Sequence, residues 1–194
     1  MALGKIKGNA FREFLVWFEE RSGHAALARA FALLPGPLAS ELDPSRPVLG
    51  VLPSNWYSIE IVHSLLDSLT ADFSTSDLER FTHEAAQVTI ARMMRGLQRA
   101  AFSLLISPRR YPKVINLLWG MNYDSGRVQV VEQTATCHEG VVSDWTGHHP
   151  LICQINHLAK VHMYEAMGCR DVTVQLTRCV SKGDPDCRSV VRWR

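Results

Sequence analysis

The chain has 194 residues, of which 46% are hydrophobic and 21% charged, and its 21 Lys and Arg residues are nearly balanced by 19 Asp and Glu residues. This length is sufficient to bury a core within one domain, and the near-balance of charge argues against a nucleic-acid-binding surface. No apolar run reaches the roughly 20 residues of a membrane-spanning helix, and the first residues lack the apolar stretch of a signal peptide, so we expect a cytoplasmic protein.

Residues 1–70 are predicted to form an N-terminal helical part. Apolar residues recur there at three- and four-residue spacing in two runs, which predicts two amphipathic helices with a break near Ser22 and Gly23. The prolines between Pro35 and Pro53 predict a surface loop, and a third helix is predicted to begin at Ser54 and to end near Leu69. The two amphipathic runs consist of Phe11, Phe14, Leu15 and Phe18, and of Leu27, Phe31 and Leu34.

Residues 71–194 are predicted to complete the same compact unit. Ser76 and Glu79 form a capping-box pattern, which predicts the start of a long helix that ends near Ile106. Small residues along this helix allow another helix to approach closely, either within the domain or across a homodimer. A short helix is predicted from Val114 to Trp119. The small residues are Ala85, Ala86, Ala91, Gly96, Ala100 and Ala101.

After residue 122 the apolar spacing changes from helical to alternating, which is typical of antiparallel strands. Two strands are predicted on either side of a turn at 137–140, and two more form a hairpin around a turn at 181–186. Between these pairs, a helix is predicted to begin at Pro150 and to end at Gly168. The fold class is therefore α+β: N-terminal helices packed with a small antiparallel sheet of about four strands, and a C-terminal helix inserted between the strand pairs.

Three of the five cysteines and one histidine form a pattern that is typical of a metal site. Cys153 and His157 lie four residues apart and share a face of the predicted helix, while Cys179 and Cys187 flank the turn of the last hairpin. Thiolates and an imidazole are ligands that tetrahedral zinc selects. The alternative is that these cysteines are buried free thiols, which behave as small hydrophobic residues.

A second set of residues could line a binding pocket. Aromatic side chains at the ends of elements or on the C-terminal helix have the size and polarity to hold a small molecule, although core packing is the alternative. They are Trp119, Tyr123, Trp145 and Tyr164. The paired acids Asp184 and Asp186 fit a turn, and no nucleophile elbow, phosphate loop or metalloprotease motif occurs, so we do not expect an enzyme.

The helix end Ala166-Met167-Gly168, the Arg178–Arg188 segment with its two cysteines and the closing strand resemble the 4-vinyl reductase domain. That domain is a small-molecule-binding relative of the haem nitric-oxide sensors and of the Bet3-type vesicle-tethering subunits. The whole chain also resembles an uncharacterised myxobacterial family of this superfamily. The resemblance implies a pocket for aromatic ligands between the sheet and the helices.

The resemblance also implies a structural zinc ion, held in phenol-sensing relatives by three cysteines and a glutamate. Cys153, Cys179 and Cys187 match those cysteines, whereas Leu176 stands at the position of the glutamate, so His157 is the substitute ligand that we expect. The Tyr-x-Ser-x-Arg motif that holds the haem propionates in the haem-binding relatives is absent. From this absence, haem is not expected.

These observations predict a non-enzymatic sensory or adaptor module that binds a small hydrophobic ligand between sheet and helices and that forms a homodimer. One alternative is an interaction module of the Bet3 type, in which the pocket is vestigial and a surface recruits a partner protein. A third hypothesis, an enzyme that modifies a tetrapyrrole, lacks any redox-cofactor motif in the sequence.

Overall fold

The structure, a computed structural model, describes residues 4–93 and 106–194. Helices and antiparallel strands are both present, which confirms the α+β class. None of the described helices is long and apolar enough to cross a membrane. In chain order the elements are β1 (Lys5–Lys7), α1 (Gly8–Ser22), α2 (His24–Ala32), α3 (Gly36–Ala39), β2 (Trp56–Ser58), α4 (Ile59–Thr70), α5 (Thr75–Met93), α6 (Tyr111–Gly120), β3 (Arg127–Gln133), β4 (Cys137–Ser143), α7 (Pro150–Ala166), β5 (Thr173–Arg178) and β6 (Cys187–Arg192).

The main sheet has four antiparallel strands in the order β3-β4-β6-β5, and α7 connects its first pair of strands to its second. This is the predicted arrangement of sheet and helix. The predicted turn at 137–140 is wrong, because these residues belong to β4, where His138 pairs with Val191. The chain reverses earlier, where the Thr134 backbone N–H donates to the Cys137 carbonyl oxygen at 2.8 Å.

A small second sheet joins the N-terminus to the segment before α4. Its strands β1 and β2 have three residues each, and Ile6 pairs with Tyr57. The helix predicted from Ser54 therefore begins later, at Ile59, where the Ser58 hydroxyl oxygen accepts the Glu60 backbone N–H at 3.3 Å. Strands this short carry too few residues for an alternating pattern to reveal them.

The N-terminus of α5 is capped by Ser74 rather than by Ser76. The Ser74 hydroxyl oxygen accepts the backbone N–H of Asp77 at 3.2 Å, and the Asp77 carboxylate accepts the backbone N–H of Ser74 at 3.3 Å. This is the reciprocal geometry of a capping box with the acid at the third position. The sequence placed the cap two residues too late, at Ser76. The reason is that Ser74 and Ser76 are each followed three residues later by an acidic residue.

The stripe of small residues packs at least in part within the chain. Ala85 and Ala86 are fully buried in the core, whereas Ala91 is exposed. Gly96, Ala100 and Ala101 lie outside the described residues, whereas Ile106, the predicted end of the helix, is described and does not belong to a helix. The homodimer stays a prediction.

The core joins residues from both sides of the predicted boundary at residue 70. Phe81 of α5 is completely buried, and its ring lies 5.2 Å from Trp17 and 6.1 Å from Phe14 of α1, between ring centroids. Edge-to-face and tilted ring pairs of this kind each stabilise a fold beyond their buried area by about 1 kcal/mol. The helices are thereby held over the sheet, and a cavity lies between them.

Candidate ligand cavity and thiol cluster

A cavity of about 540 Å³ lies where the N-terminal helices meet α6, α7 and the main sheet. Its described lining is mostly apolar, with side chains from α1, α4 and α5 on one side and from α6, α7, β3 and β4 on the other. This volume and polarity are those of a small-molecule site. Representative lining residues are Phe14, Val62, Ile115, Val128, Val142 and Ile152.

Three of the four aromatic residues predicted to line a pocket meet at this cavity. The rings of Trp119 and Tyr123 are 4.4 Å apart, and each lies about 5 Å from Trp145, at 5.1 and 5.0 Å respectively. The Trp119 indole N–H donates to the Ser125 carbonyl oxygen at 2.9 Å, and the Tyr123 hydroxyl lies 3.3 Å from the Asn156 side-chain oxygen. Burial raises the pKa of Tyr123 to about 12, so this hydroxyl stays neutral at pH 7.

Two glycines allow Trp145 its position. Gly126 has a φ of +83°, in the left-handed region, and a Cβ atom there would lie 2.6 Å from the Trp145 Cβ. A Cβ atom on Gly147 would lie 2.9 Å from the indole ring. Both close approaches require the absence of a side chain.

Tyr164 lies in a different cluster and is not among the residues that line the cavity. Its hydroxyl is 2.6 Å from the His138 Nδ1 atom, and its ring packs against Tyr111 and Trp193 at centroid distances of 5.4 and 4.9 Å. Burial lowers the pKa of His138 and raises that of Tyr164, so both groups are neutral. The position of Tyr164 is that of a core residue.

Polar groups from α7 also reach the cavity wall. His157 is 9% exposed, and its Nδ1 atom is buried with no hydrogen-bond partner among the described residues. Burial, together with the nearby charge of Lys160, lowers the pKa of His157 to about 4. Lys160 lies three residues further along the helix and donates from Nζ to the Ser189 hydroxyl oxygen. Burial lowers the pKa of Lys160 to about 8.

A cluster of thiols and one imidazole lies beside the cavity, and Cys153 and Cys187 belong to both. The His148 Nδ1 atom is 3.5 Å from the Cys153 sulfur and 3.6 Å from the Cys187 sulfur, and the Cys179 sulfur is 3.7 Å from that of Cys187. A disulfide bond would require about 2.05 Å. We call His148, Cys153, Cys179 and Cys187 the thiol cluster.

Three of the six separations within the thiol cluster, namely His148 to Cys153, His148 to Cys187 and Cys179 to Cys187, match those of tetrahedral zinc ligands. With zinc about 2.3 Å from sulfur and about 2.0 to 2.1 Å from nitrogen, tetrahedral angles place two sulfurs about 3.8 Å apart and sulfur about 3.6 Å from nitrogen. The donor atoms of His148, Cys153 and Cys187 all lie within 4.8 Å of one another. Cys179 adjoins Cys187 and completes a set of four donors.

Hydrogen bonds within the thiol cluster favour one thiolate. The Cys153 thiol donates to Cys187, as do the His148 ring and the Val180 backbone N–H, and together they lower the pKa of Cys187 against the effect of burial. The same bond from Cys153, together with burial, raises the pKa of the Cys153 thiol. A sulfur that attracts several donors is well suited to bind a cation.

Three histidines lie near Cys153 in sequence; the structure brings His148 to the sulfurs, whereas the predicted ligand His157 lines the cavity. The next residue, His149, is 8% exposed, accepts the Leu151 backbone N–H at 3.2 Å and lies 3.0 Å from the Asp67 carboxylate. His149 therefore anchors the start of α7, which fixes the direction of the segment that carries His148. Helical spacing favoured His157 as the predicted ligand. His148 lies in the loop before Pro150, where the sequence has no periodic pattern that would indicate which side chains meet.

No protein-family model matches the sequence, and no curated protein matches it. Solved structures do match. The Fe(II) unliganded H-NOX protein from K. algicida superposes with a TM-score of 0.69 at 12% identity, over 97% of this chain and 96% of that one. The chain has the H-NOX fold.

Further structures support the same conclusion about the fold. An H-NOX protein from S. oneidensis in the Fe(II)NO ligation state matches with a TM-score of 0.66 at 10% identity, over 97% of this chain and 99% of that one. A structure from a study of heme distortion in the H-NOX family matches with a TM-score of 0.68 at 8% identity, over 97% and 95%. The likeness is one of fold, and the narrower resemblance to the 4-vinyl reductase domain stays a prediction.

The H-NOX structures correct the expectation about haem. The prediction that haem is not expected depended on one missing motif. The structures that share this fold include heme proteins, so that prediction is wrong. The described cavity lining has one imidazole, that of His157, whose Nδ1 atom lacks a partner, and the two cations Lys160 and Arg188. An imidazole is a common axial ligand of haem iron, and cations suit its carboxylates. These residues fit a haem group chemically.

Proposed function

We propose that this chain is a non-enzymatic ligand-binding module, in a sensory or adaptor role, whose cavity takes a small and mainly apolar molecule. The observation that carries this proposal is the apolar cavity of about 540 Å³ with Trp119, Tyr123 and Trp145 on its wall. Cavities of this size and polarity are the usual form of small-molecule sites. The H-NOX fold supports the proposal, since one of the matched proteins, from S. oneidensis, is in the Fe(II)NO ligation state.

The neutral probe 2-naphthamide tests the cavity by isothermal titration calorimetry. We expect binding with a negative heat-capacity change, because apolar surface is buried. Val142→Phe places a larger side chain in the cavity wall and should weaken binding, whereas Val131→Phe, at a site that is 53% exposed, should not. If neither this probe nor an aliphatic amide binds the wild-type chain, the proposal is wrong and an interaction module of the Bet3 type becomes the better explanation.

Haem is a specific candidate for the same cavity. His157 would provide the axial imidazole and Lys160 a cation for the carboxylates; bound haem iron would supply a binding site for a diatomic gas. Titration of the chain with hemin should give a Soret band that saturates at one equivalent. His157→Ala should shift or remove this band, and the exposed control His24→Ala should not. A spectrum unchanged by His157→Ala would exclude this residue as the iron ligand.

We infer further that the thiol cluster binds zinc in a structural role. The support is the match of its separations, 3.5 to 3.7 Å, to the edges of a zinc-centred tetrahedron. Such a metal ion would tie the start of α7 to the hairpin of β5 and β6 through His148, Cys153, Cys179 and Cys187. It would also fix one end of the cavity, because Cys153 and Cys187 form part of its wall.

Elemental analysis of the purified chain tests the zinc site, with an expected stoichiometry of one. Cys179→Ser should lose the metal, whereas Cys137→Ser, a half-buried cysteine of β4 outside the thiol cluster, should retain it. His148→Ala and His157→Ala distinguish the two possible nitrogen ligands, and we expect only the first to weaken zinc binding. A wild-type chain without metal after purification in zinc-containing buffer would contradict the site.

A further inference from the structure

Lys160 is a cation in the wall of an apolar cavity whose described lining contains no carboxylate. Its Nζ atom donates to the neutral hydroxyl oxygen of Ser189, which is itself completely buried. Arg188, the other cation of the described lining, is already paired with Asp186 and Glu139 at 3.1 and 3.2 Å. Lys160 is therefore the cation of this described wall that has no carboxylate partner.

His157 lies beside Lys160 on the same face of α7, one helical turn earlier. Its side chain is nine-tenths buried, it lines the cavity, and its Nδ1 atom has no partner among the described residues. In the tautomer that carries hydrogen on Nδ1, this atom is a donor. Two donors of hydrogen bonds, one of them charged, thus occur together in a mostly apolar wall.

Without a ligand, the Lys160 cation and the unpartnered His157 Nδ1 atom both lower the stability of the folded chain. A cation that is partly removed from water, as half-buried Lys160 is, is destabilised unless an anion or several dipoles compensate it, and a buried polar atom without a partner carries a similar penalty. The nearby acidic group of the protein is the Cys187 thiol, which belongs to the thiol cluster. A ligand that brings a carboxylate would compensate both Lys160 and His157 through charge-assisted hydrogen bonds.

We propose that the cavity selects apolar carboxylic acids, with the carboxylate bound by Lys160 Nζ and His157 Nδ1 and the apolar body in the rest of the cavity. This inference rests on the proposed ligand-binding function and names the chemical class of the ligand. Trp119, Tyr123 and Trp145 provide flat apolar surface for that body. A free acid would use both donors, whereas a tetrapyrrole whose iron is held by His157 would have its propionate bound by Lys160 alone.

The test compares 2-naphthoate with 2-naphthamide, which have nearly the same shape and differ in charge. We expect the wild-type chain to bind 2-naphthoate about tenfold or more tightly than the amide, since hydrogen bonds to charged groups are the strong ones. Lys160→Met keeps the length of the side chain and should remove this preference, because it should weaken the binding of 2-naphthoate far more than that of the amide. Lys160→Arg keeps the charge and should retain part of the preference.

The outcomes distinguish the proposed ligand-binding function of the cavity from its proposed specificity for carboxylic acids. Equal affinity for acid and amide in the wild type, or a preference that survives in both Lys160→Met and Lys160→Gln, overturns the acid specificity but leaves the cavity function intact. Binding of neither probe overturns both. Haem and its dimethyl ester identify the source of the carboxylate: a preference for haem over the ester indicates a tetrapyrrole acid, and a preference limited to 2-naphthoate indicates a free apolar acid.

Discussion

Protonation of His157 should make the stability of this protein depend on pH. Its pKa falls from 6.5 to about 4 in the folded chain, mainly through burial and then through the charge of Lys160. Because the unfolded chain binds the proton more readily, acid favours unfolding. The stability that the neutral imidazole provides is fully present above pH 6.5 and is lost as the pH falls from 6.5 toward 4.

The magnitude follows from this difference in pKa. Between pH 7 and pH 4.5 the His157 contribution to the free energy of unfolding should fall by about 2.5 kcal/mol. At still lower pH the total loss should level off at about 3 kcal/mol. His63 and His138 act in the same direction, since burial lowers their pKa values as well. The wild-type chain should therefore lose more than the His157 contribution alone.

Urea unfolding at a series of pH values, in the presence of a chelator, isolates the His157 contribution. His157→Gln removes the titrating ring but leaves His63 and His138, so the difference between the two proteins reports His157 alone. Equal slopes of unfolding free energy against pH in the wild type and in His157→Gln would refute the reasoning.

Three further substitutions test the packing that positions the site, each by urea unfolding. Ser74→Ala should lower the free energy of unfolding by about 1 kcal/mol, because Ser74 caps α5, and Ser76→Ala should lower it less; the reverse order would return the cap to Ser76. Gly126→Ala should destabilise the fold by more than about 1 kcal/mol and alter the near-ultraviolet circular dichroism of Trp145, while Gly36→Ala, with open space around it, should do neither. Tyr164→Phe should destabilise the fold by about 1 to 3 kcal/mol, since it leaves His138 without its hydroxyl partner, and a loss near zero would argue against that hydrogen bond.

The sequence predicted the elements with long periodic signals. The apolar spacing around Phe11 and Phe18, the proline and glycine that bound α7, and the alternation in β5 each reflect a local rule, and the structure has a helix or strand at each place. Signals of two or three residues were less reliable. The strands β1 and β2 were missed, and the cap of α5 was placed two residues late, because several short polar residues there satisfy the same pattern.

The site depends on contacts between residues that are distant in the chain. The sequence by itself indicated Cys153, Cys179 and Cys187 as a set and Trp119, Tyr123 and Trp145 as pocket residues, since their chemistry is evident from residue type. It also excluded haem on the absence of one motif, and the fold overturned that exclusion. Only the tertiary structure decided that His148 joins the thiols, that His157 and Lys160 line the cavity, and that Tyr164 packs with His138 elsewhere. The physical reason is that helical periodicity determines which side chains share a face, whereas loop conformation and the packing of helices on the sheet determine what that face meets.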